Sequence, residues 1–350
     1  VNALYYQTSW DEYTAPFYEA LERAVARGVT VRLLVDHHGM RTIPGHRDFR
    51  RRLNAMGIEW HEMLPFAPLR GQIRRPDLRN HRKILVIDGR EAYVGSHNLV
   101  APDYDTPSYA KAGMVYDDTS VSVTGPIVAQ IQAVFAVDWY YACKEVLTPE
   151  VLTPPAAQET GEREDEQASA MQIIPSGPAY RGEPNLRAFI HMISSARTHV
   201  SITSPYFIPD EALMTALTNA ALSGVEVELF VSEQFDQFLV GHAQRSYYGP
   251  LLKAGVRIHL YHKPRMLHSK YMIVDGSLCV IGSSNMDARS FGLNYEIVLV
   301  ADSSRLVEML HGNDDRTREK SRELTYEEWR GLPWHIHYID NVCRLGSSLL

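Results

Sequence analysis

Short apolar runs alternate with amphipathic stretches along most of this chain. Asn2 to Tyr6 reads as a strand. From Tyr13 to Arg27 the apolar residues Phe17, Ala20, Leu21 and Ala24 recur at helical spacing, which predicts one buried helix face. Gly28 ends that helix, because glycine enters the left-handed backbone of a helix terminus without strain. Val29 to Asp36 is a nearly continuous apolar run, the pattern of a strand buried on both faces. A helix from about His46 to Met56 and a strand from Ile58 to Met63 follow. Next come two apolar runs, Lys83 to Ile87 and Ala92 to Val94, joined through Asp88-Gly89. Asp-Gly in that setting predicts a hairpin, since both residues accept the positive φ of a tight turn. Met114 to Asp118 and Val121 to Val123 read as strand. Gly125-Pro126 opens a helix that runs to about Lys144.

The pattern then recurs. A helix at 185–195, a strand from Val200, a helix from about Asp210 to Gly224 and a strand from Val225 to Val231 repeat the earlier order. Leu251 to Ile258 matches Leu53 to Trp60. Lys270 to Val274 and Leu278 to Ile281 flank Asp275-Gly276 as a second hairpin, and Tyr295 to Val300 leads to a helix from about Ser303. A repeat of this length predicts two tandem, similar α/β domains. Each is expected to be a mixed, mostly parallel sheet flanked by helices, the pair related by a pseudo-two-fold. The first domain would cover residues 1–146 and the second 172–322, with residues 147–171 as a linker. That linker holds Pro154, Pro155, Glu159, Glu162, Glu164, Asp165 and Glu166, a solvated composition. Residues 323–350 form a C-terminal helical segment. There Thr325 and Glu328 stand at capping-box spacing. Its apolar residues Trp329, Trp334, Ile336, Ile339, Val342 and Leu345 suit a helix packed on the second domain. The alternative is a helix lying in a membrane interface.

Composition narrows the class. The 350 residues are 45% hydrophobic, enough for real cores. A net charge of −7 argues against a general nucleic-acid binder. Cys143, Cys279 and Cys343 show no disulfide or metal spacing. His37-His38 and His335-x-His337 lack a carboxylate or cysteine to complete a ligand set, so no metal and no cofactor are expected. Tyr206 and Phe207 read as core. The chain opens at Val1 inside a strand-like pattern without an initiator Met, as a fragment would.

The hairpins carry the chemistry. One begins His81-x-Lys83 and turns at Asp88; the other begins His268-x-Lys270 and turns at Asp275. Each is followed by Gly-Ser-x-Asn, ending at Asn98 and Asn285. The closing glycine of each second strand would let backbone approach a ligand. Each copy therefore offers an imidazole, an ammonium and an amide, which is half of a phosphoryl-transfer site. Two halves facing each other complete it: one neutral imidazole attacks phosphorus and the other, protonated, serves the leaving alcohol. The lysines and asparagines would hold the non-bridging oxygens. A nucleophilic histidine needs an orienting partner, and Glu296 and Asp118 (or Asp117) are the candidates. Asp88 and Asp275 complete the catalytic set, although turn formation is the simpler role for both. Arg70, Arg74, Arg75 and Arg79, just before His81, form either a solvated basic loop or a clamp for lipid phosphates.

These duplicated His-x-Lys-x(4)-Asp motifs resemble those of the phospholipase D superfamily. Arg79-Asn80-His81-Arg82-Lys83, the run from Gly282 to Glu296 with Asn285, Asp287, Arg289 and Asn294, and Ser321-Arg322-Glu323 with Trp329 and Pro333-Trp334 are similar to bacterial cardiolipin synthases. The resemblance implies two tandem phospholipase D domains with the site at their interface. It implies phosphatidyl transfer between two phosphatidylglycerols through a phosphatidyl-histidine, with His81 as nucleophile. It also implies phospholipid partners, a bacterial membrane location, and membrane helices upstream of Val1. Residues 103–113 are irregular against the family, so the carboxylate role carries over less directly to Asp118 than to Glu296. Competing readings are a phosphodiesterase that hydrolyses phospholipid or nucleic acid, and a non-catalytic phospholipid-binding protein. Oligomeric state is open.

Overall fold

The computed structural model describes residues 1–66, 75–104, 106–148 and 169–347. The first half contains strands β1 (Asn2–Tyr5), β2 (Arg32–Asp36), β3 (Glu59–Met63), β4 (Ile84–Ile87), β5 (Glu91–Gly95), β6 (Val115–Asp117) and β7 (Ser120–Thr124). Six of them form a sheet in the order β3-β2-β1-β4-β5-β7. The second half contains β8 (Ala170–Ser176), β9 (His199–Thr203), β10 (Phe207–Ile208), β11 (Glu226–Ser232), β12 (Arg257–Tyr261), β13 (Arg265–Leu267), β14 (Tyr271–Val274), β15 (Leu278–Gly282), β16 (Met286–Asp287), β17 (Glu296–Asp302) and β18 (Ser321–Leu324). Its sheet runs β18-β12-β11-β9-β14-β15-β17-β8. Removing β18 and β8 leaves the order of the first sheet, so the sequence repeat is a structural repeat.

The sheets are mixed but less parallel than expected. Among the described strands of these two sheets, only β1, β2 and β3, and their counterparts β9, β11 and β12, pair in parallel. The motif hairpins β4–β5 and β14–β15 enter antiparallel, because a three-residue turn can only reverse the chain. Asp88 and Gly89 take φ of 52° and 64°, as such a turn demands. Two expected boundaries move as well. The linker's limit at 171 falls inside β8, and the limit at 322 falls inside β18, which pairs with β12. Most of the acidic linker lies outside the described residues.

One apolar core joins the halves. The helix Ile127–Cys143 buries Val128, Ile131, Phe135 and Trp139 in a cluster with Val86 and Val94 of the first sheet and Ile281 and Leu299 of the second. The outer faces are closed separately. Tyr18, Leu21 and Phe49 cover the first sheet, and Leu186, Leu217 and Leu251 cover the second. Thr325 caps the helix Tyr326–Arg330 by accepting the Glu328 N–H at 3.1 Å, as its spacing predicts. No helix among the described residues is long and apolar enough to cross a membrane.

Candidate active site

His81 and Lys83 stand immediately before β4, and His268 and Lys270 immediately before β14. The segments leading into them do not pair within their own halves. β13 runs parallel to β6, with Leu267 opposite Asp117, and the His268 N–H donates to the Asp117 carbonyl at 2.8 Å. On the other side of the pseudo-two-fold, Asn80 bridges Tyr295 in parallel, and the His81 N–H donates to the Tyr295 carbonyl at 2.9 Å. Each histidine is thus stitched to the other half's strand, one residue before that strand's carboxylate.

The register fixes which carboxylates these are. Gly95 pairs with Ser120 and Gly282 with Val298, so Asp118 and Glu296 hold equivalent places two residues earlier. His268 Nδ1 lies 2.6 Å from Asp118 Oδ1, and His81 Nδ1 lies 3.7 Å from Glu296 Oε1. Both imidazoles therefore present Nε2 to whatever stands between the halves. Asp117 is excluded from this role by its own partners, Tyr261 and Arg265.

A cavity of about 320 Å³ is lined by His81, Lys83, His268, Lys270, Asn98 and Asn285. The lysines are arranged alike: Lys83 Nζ donates to the His81 carbonyl and Lys270 Nζ to the His268 carbonyl, each at 2.7 Å. A buried network sets the first motif in place. Arg82 is fully buried, and its Nη1 donates to both oxygens of Asp138 at 2.6 Å. Arg82 Nε donates to the Glu296 carbonyl at 3.0 Å. Asn80 donates its N–H to Asp36 at 2.9 Å and its side-chain amide to Asp138 at 3.1 Å.

The electrostatics are not symmetric. Burial pushes the His81 imidazole well below its ordinary pKa, and the charges of Lys83, Arg289 and Lys270 push the same way. His81 is therefore neutral near pH 7. His268 is lowered as well, again by burial, although the Asp118 carboxylate opposes the shift and leaves it smaller than that of His81. Burial would raise Asp118, yet His268 and Lys270 hold it well below the usual carboxylate range. Glu296, fully buried, is pushed up to about 7 by burial despite Lys83 and its hydrogen bond from Ser283. Burial brings Lys270 down to about 7 and lowers Lys83 as well. Such a cluster favours an anion arriving between the halves, because each cation recovers an opposite charge. No three His, Cys, Asp or Glu among the described residues stand together as a metal site.

Several expected roles change. Asp88 and Asp275 do not line the cavity; they sit in the turns at the far ends of their hairpins. The Asp275 carboxylate accepts from the N–H groups of Arg197, Thr198 and His199, which anchors the start of β9. The glycines Gly95 and Gly282 admit backbone rather than ligand. A Cβ on Gly282 would collide with the Ile297 carbonyl oxygen, and one on Gly95 with the Thr119 carbonyl oxygen. Arg79 is buried against Asp36 at 3.3 Å, so it is structural rather than a lipid clamp. Arg75 pairs with Asp77 at the surface. Arg70 and Arg74 lie outside the described residues. Tyr206, expected in the core, lines the cavity together with Tyr6, Tyr104, Tyr116 and Asp236. No local pattern marks these residues, because they come from loops and from β6, which only the fold brings together.

A family model described as "Cardiolipin synthase, PLD-like domain" matches residues 4–139 and 189–313. The chain is 36% identical over 353 residues to a cardiolipin synthase of Halalkalibacterium halodurans, covering 100% of this chain and 67% of that protein. It is 36% identical over 356 residues to one of Geobacillus thermodenitrificans, with the same shares. Cardiolipin synthase A of Proteus mirabilis is 34% identical over 336 residues, which is 95% of this chain and 67% of that one. Among solved structures, phosphatidylserine synthase of Haemophilus influenzae superposes with a TM-score of 0.74 at 14% identity, over 100% of this chain and 90% of that one. At that identity the likeness concerns the fold.

Proposed function

As this chain belongs to the cardiolipin synthase family of phospholipase D-like enzymes, we propose that it joins two phosphatidylglycerols into cardiolipin and releases glycerol. The observation that carries this reading is the crossed pairing of the two motif histidines around one cavity. His81 Nε2 attacks the phosphorus of the first lipid. The bond from phosphorus to the glycerol oxygen breaks, and His268 gives its proton to that oxygen. The phosphatidyl group now rests on His81. A second phosphatidylglycerol loses its hydroxyl proton to His268 and attacks the same phosphorus. The P–N bond breaks, and its electron pair returns to His81.

The assignment of His81 as nucleophile is supported by its suppressed protonation, since only a neutral imidazole has a lone pair to give. His268 suits the acid role because the Asp118 carboxylate stabilises its protonated form. A bound phosphodiester anion beside it adds to that effect. Lys83 and Lys270, with Asn98 and Asn285, would hold the non-bridging oxygens as charge grows on them. Phospholipid at a bacterial membrane is the implied partner. Protein supplied with labelled phosphatidylglycerol is expected to yield cardiolipin, glycerol and an acid-labile phosphoenzyme. Absence of both product and phosphoenzyme would overturn the reading, and phosphatidic acid in place of cardiolipin would assign hydrolysis instead.

A further inference from the structure

The described lining of the cavity includes one carboxylate, which the mechanism above does not use. Asp236 stands on the loop before the helix Phe238–Ser246 and lines the same cavity as the two histidines. Its Oδ2 accepts from Tyr206 at 2.7 Å, on its own half, and from Tyr116 at 3.2 Å, across the interface. Gln237 adds a hydrogen bond to the Tyr206 hydroxyl at 3.1 Å. The carboxylate is therefore held from two sides. Its other oxygen, Oδ1, is out of contact with solvent and has no hydrogen-bond partner. A buried carboxylate oxygen left unpaired is costly, and a ligand that donates to it recovers that cost.

A phosphate group cannot be that ligand, since it brings negative charge and acceptors only. An alcohol can. The location says which alcohol. The Tyr116 ring packs edge-on against His268 at 5.5 Å between centroids, and the Tyr116 hydroxyl reaches Asp236. Asp236 thus lies on the His268 side of the cavity, and the mechanism above assigns His268 to the leaving and attacking alcohol. Leaving and attacking alcohols occupy the same place, because the second step is the reverse of the first with a new alcohol. A polyol whose first hydroxyl sits at His268 would offer a further hydroxyl to the unpaired oxygen.

We propose that Asp236, held by Tyr116 and Tyr206, is a specificity residue that selects a polyhydroxyl headgroup as leaving group and acceptor. This rests on the transferase reading and adds to it the chemistry by which the headgroup is chosen. A site built to receive a hydroxyl discriminates strongly against an analogue that lacks it, because the buried acceptor is then stranded.

The test is a competition. Labelled glycerol and 1-propanol, at equal concentration, compete for the phosphoenzyme formed from phosphatidylglycerol. The donor step cancels from the product ratio. Wild type is expected to favour glycerol, and Asp236→Ala to lower the ratio at least about tenfold. Asp236→Asn, which keeps the shape, should give an intermediate ratio. Tyr206→Phe, which loosens the carboxylate without removing it, should shift the ratio the same way by less. A ratio unchanged in Asp236→Asn and Tyr206→Phe overturns the proposal, whether or not Asp236→Ala folds. Wild type that cleaves phosphatidylglycerol yet shows no preference for glycerol also overturns it, while leaving phosphodiester chemistry intact. Wild type that cleaves no lipid overturns the transferase reading and this inference with it.

Discussion

His268 and Asp118 are 150 residues apart in the chain, yet Nδ1 and Oδ1 meet at 2.6 Å. The partner of each motif histidine comes from the other half of the molecule. His81 has the looser pair, 3.7 Å to a Glu296 whose pKa burial pushes up to about 7. The two carboxylates should therefore fail differently. Asp118→Asn is expected to lower turnover by on the order of 10²- to 10⁴-fold, because His268 loses the charge that favours its protonated form. Glu296→Gln keeps a neutral partner beside His81 and should cost less. Single-turnover phosphoenzyme formation, compared with steady-state turnover, measures the difference.

Removing each imidazole separates the steps. His81→Ala should form no phosphoenzyme at all. His268→Ala should form one slowly, because Nε2 of His81 remains while the leaving alcohol has no proton donor. Steady-state turnover in both is expected to fall at least about 10³-fold. Gels of reactions quenched in detergent at neutral pH, with radiolabelled lipid, would report the trapped species. Label appearing in His81→Ala and missing from His268→Ala would exchange the two roles.

Lys270 sets an alkaline limit. Burial brings it to about 7, so it is charged below that pH and loses its proton above. The kcat/KM for lipid should then decline as pH rises through about 7 in the free enzyme. Lys270→Arg keeps its charge at any working pH, and should move that limb upward even as the altered geometry lowers the maximum. A pH profile of both forms is the measurement.

Glu296 gives a stability signature of the opposite kind. Its folded pKa of about 7 lies above the ordinary 4.5. The stability it contributes is fully present below about 4.5 and is lost as pH rises through about 7. Glu296→Gln fixes the neutral state. It should raise the melting temperature over wild type at about pH 8, and the gap should close near about pH 4. Thermal melts across that range check the sign.

Three residues outside the cavity should act through packing. Asp138→Ala strands the buried Arg82 charge and is expected to cost about 3–5 kcal/mol. Gly282→Ala drives a methyl into the β17 backbone just after Glu296, and should cost about 1–3 kcal/mol. Activity should fall with it, because Glu296 moves. Asp275→Asn weakens the anchoring of β9 and should lower the melting temperature while turnover stays within about twofold. Denaturant titrations alongside turnover distinguish the three.

The sequence by itself settled the duplicated α/β design, the two hairpins and the pair of His-x-Lys motifs, because those features are local. Periodicity decides what an apolar run becomes, Asp-Gly decides where it turns, and two copies at matching offsets mark chemistry. Even Asp118 and Glu296 could be singled out, by their equivalent places in the repeat. Only the tertiary structure decided that each carboxylate serves the other half's histidine. That exchange follows from β6 pairing with β13 and Asn80 with Tyr295. Strand pairing between halves depends on how two sheets close over one shared core, and no residue pattern within either half encodes it. The same holds for Arg79, which reads as a surface cation and is buried on Asp36, and for Asp236, whose unpaired oxygen exists only once two loops have met.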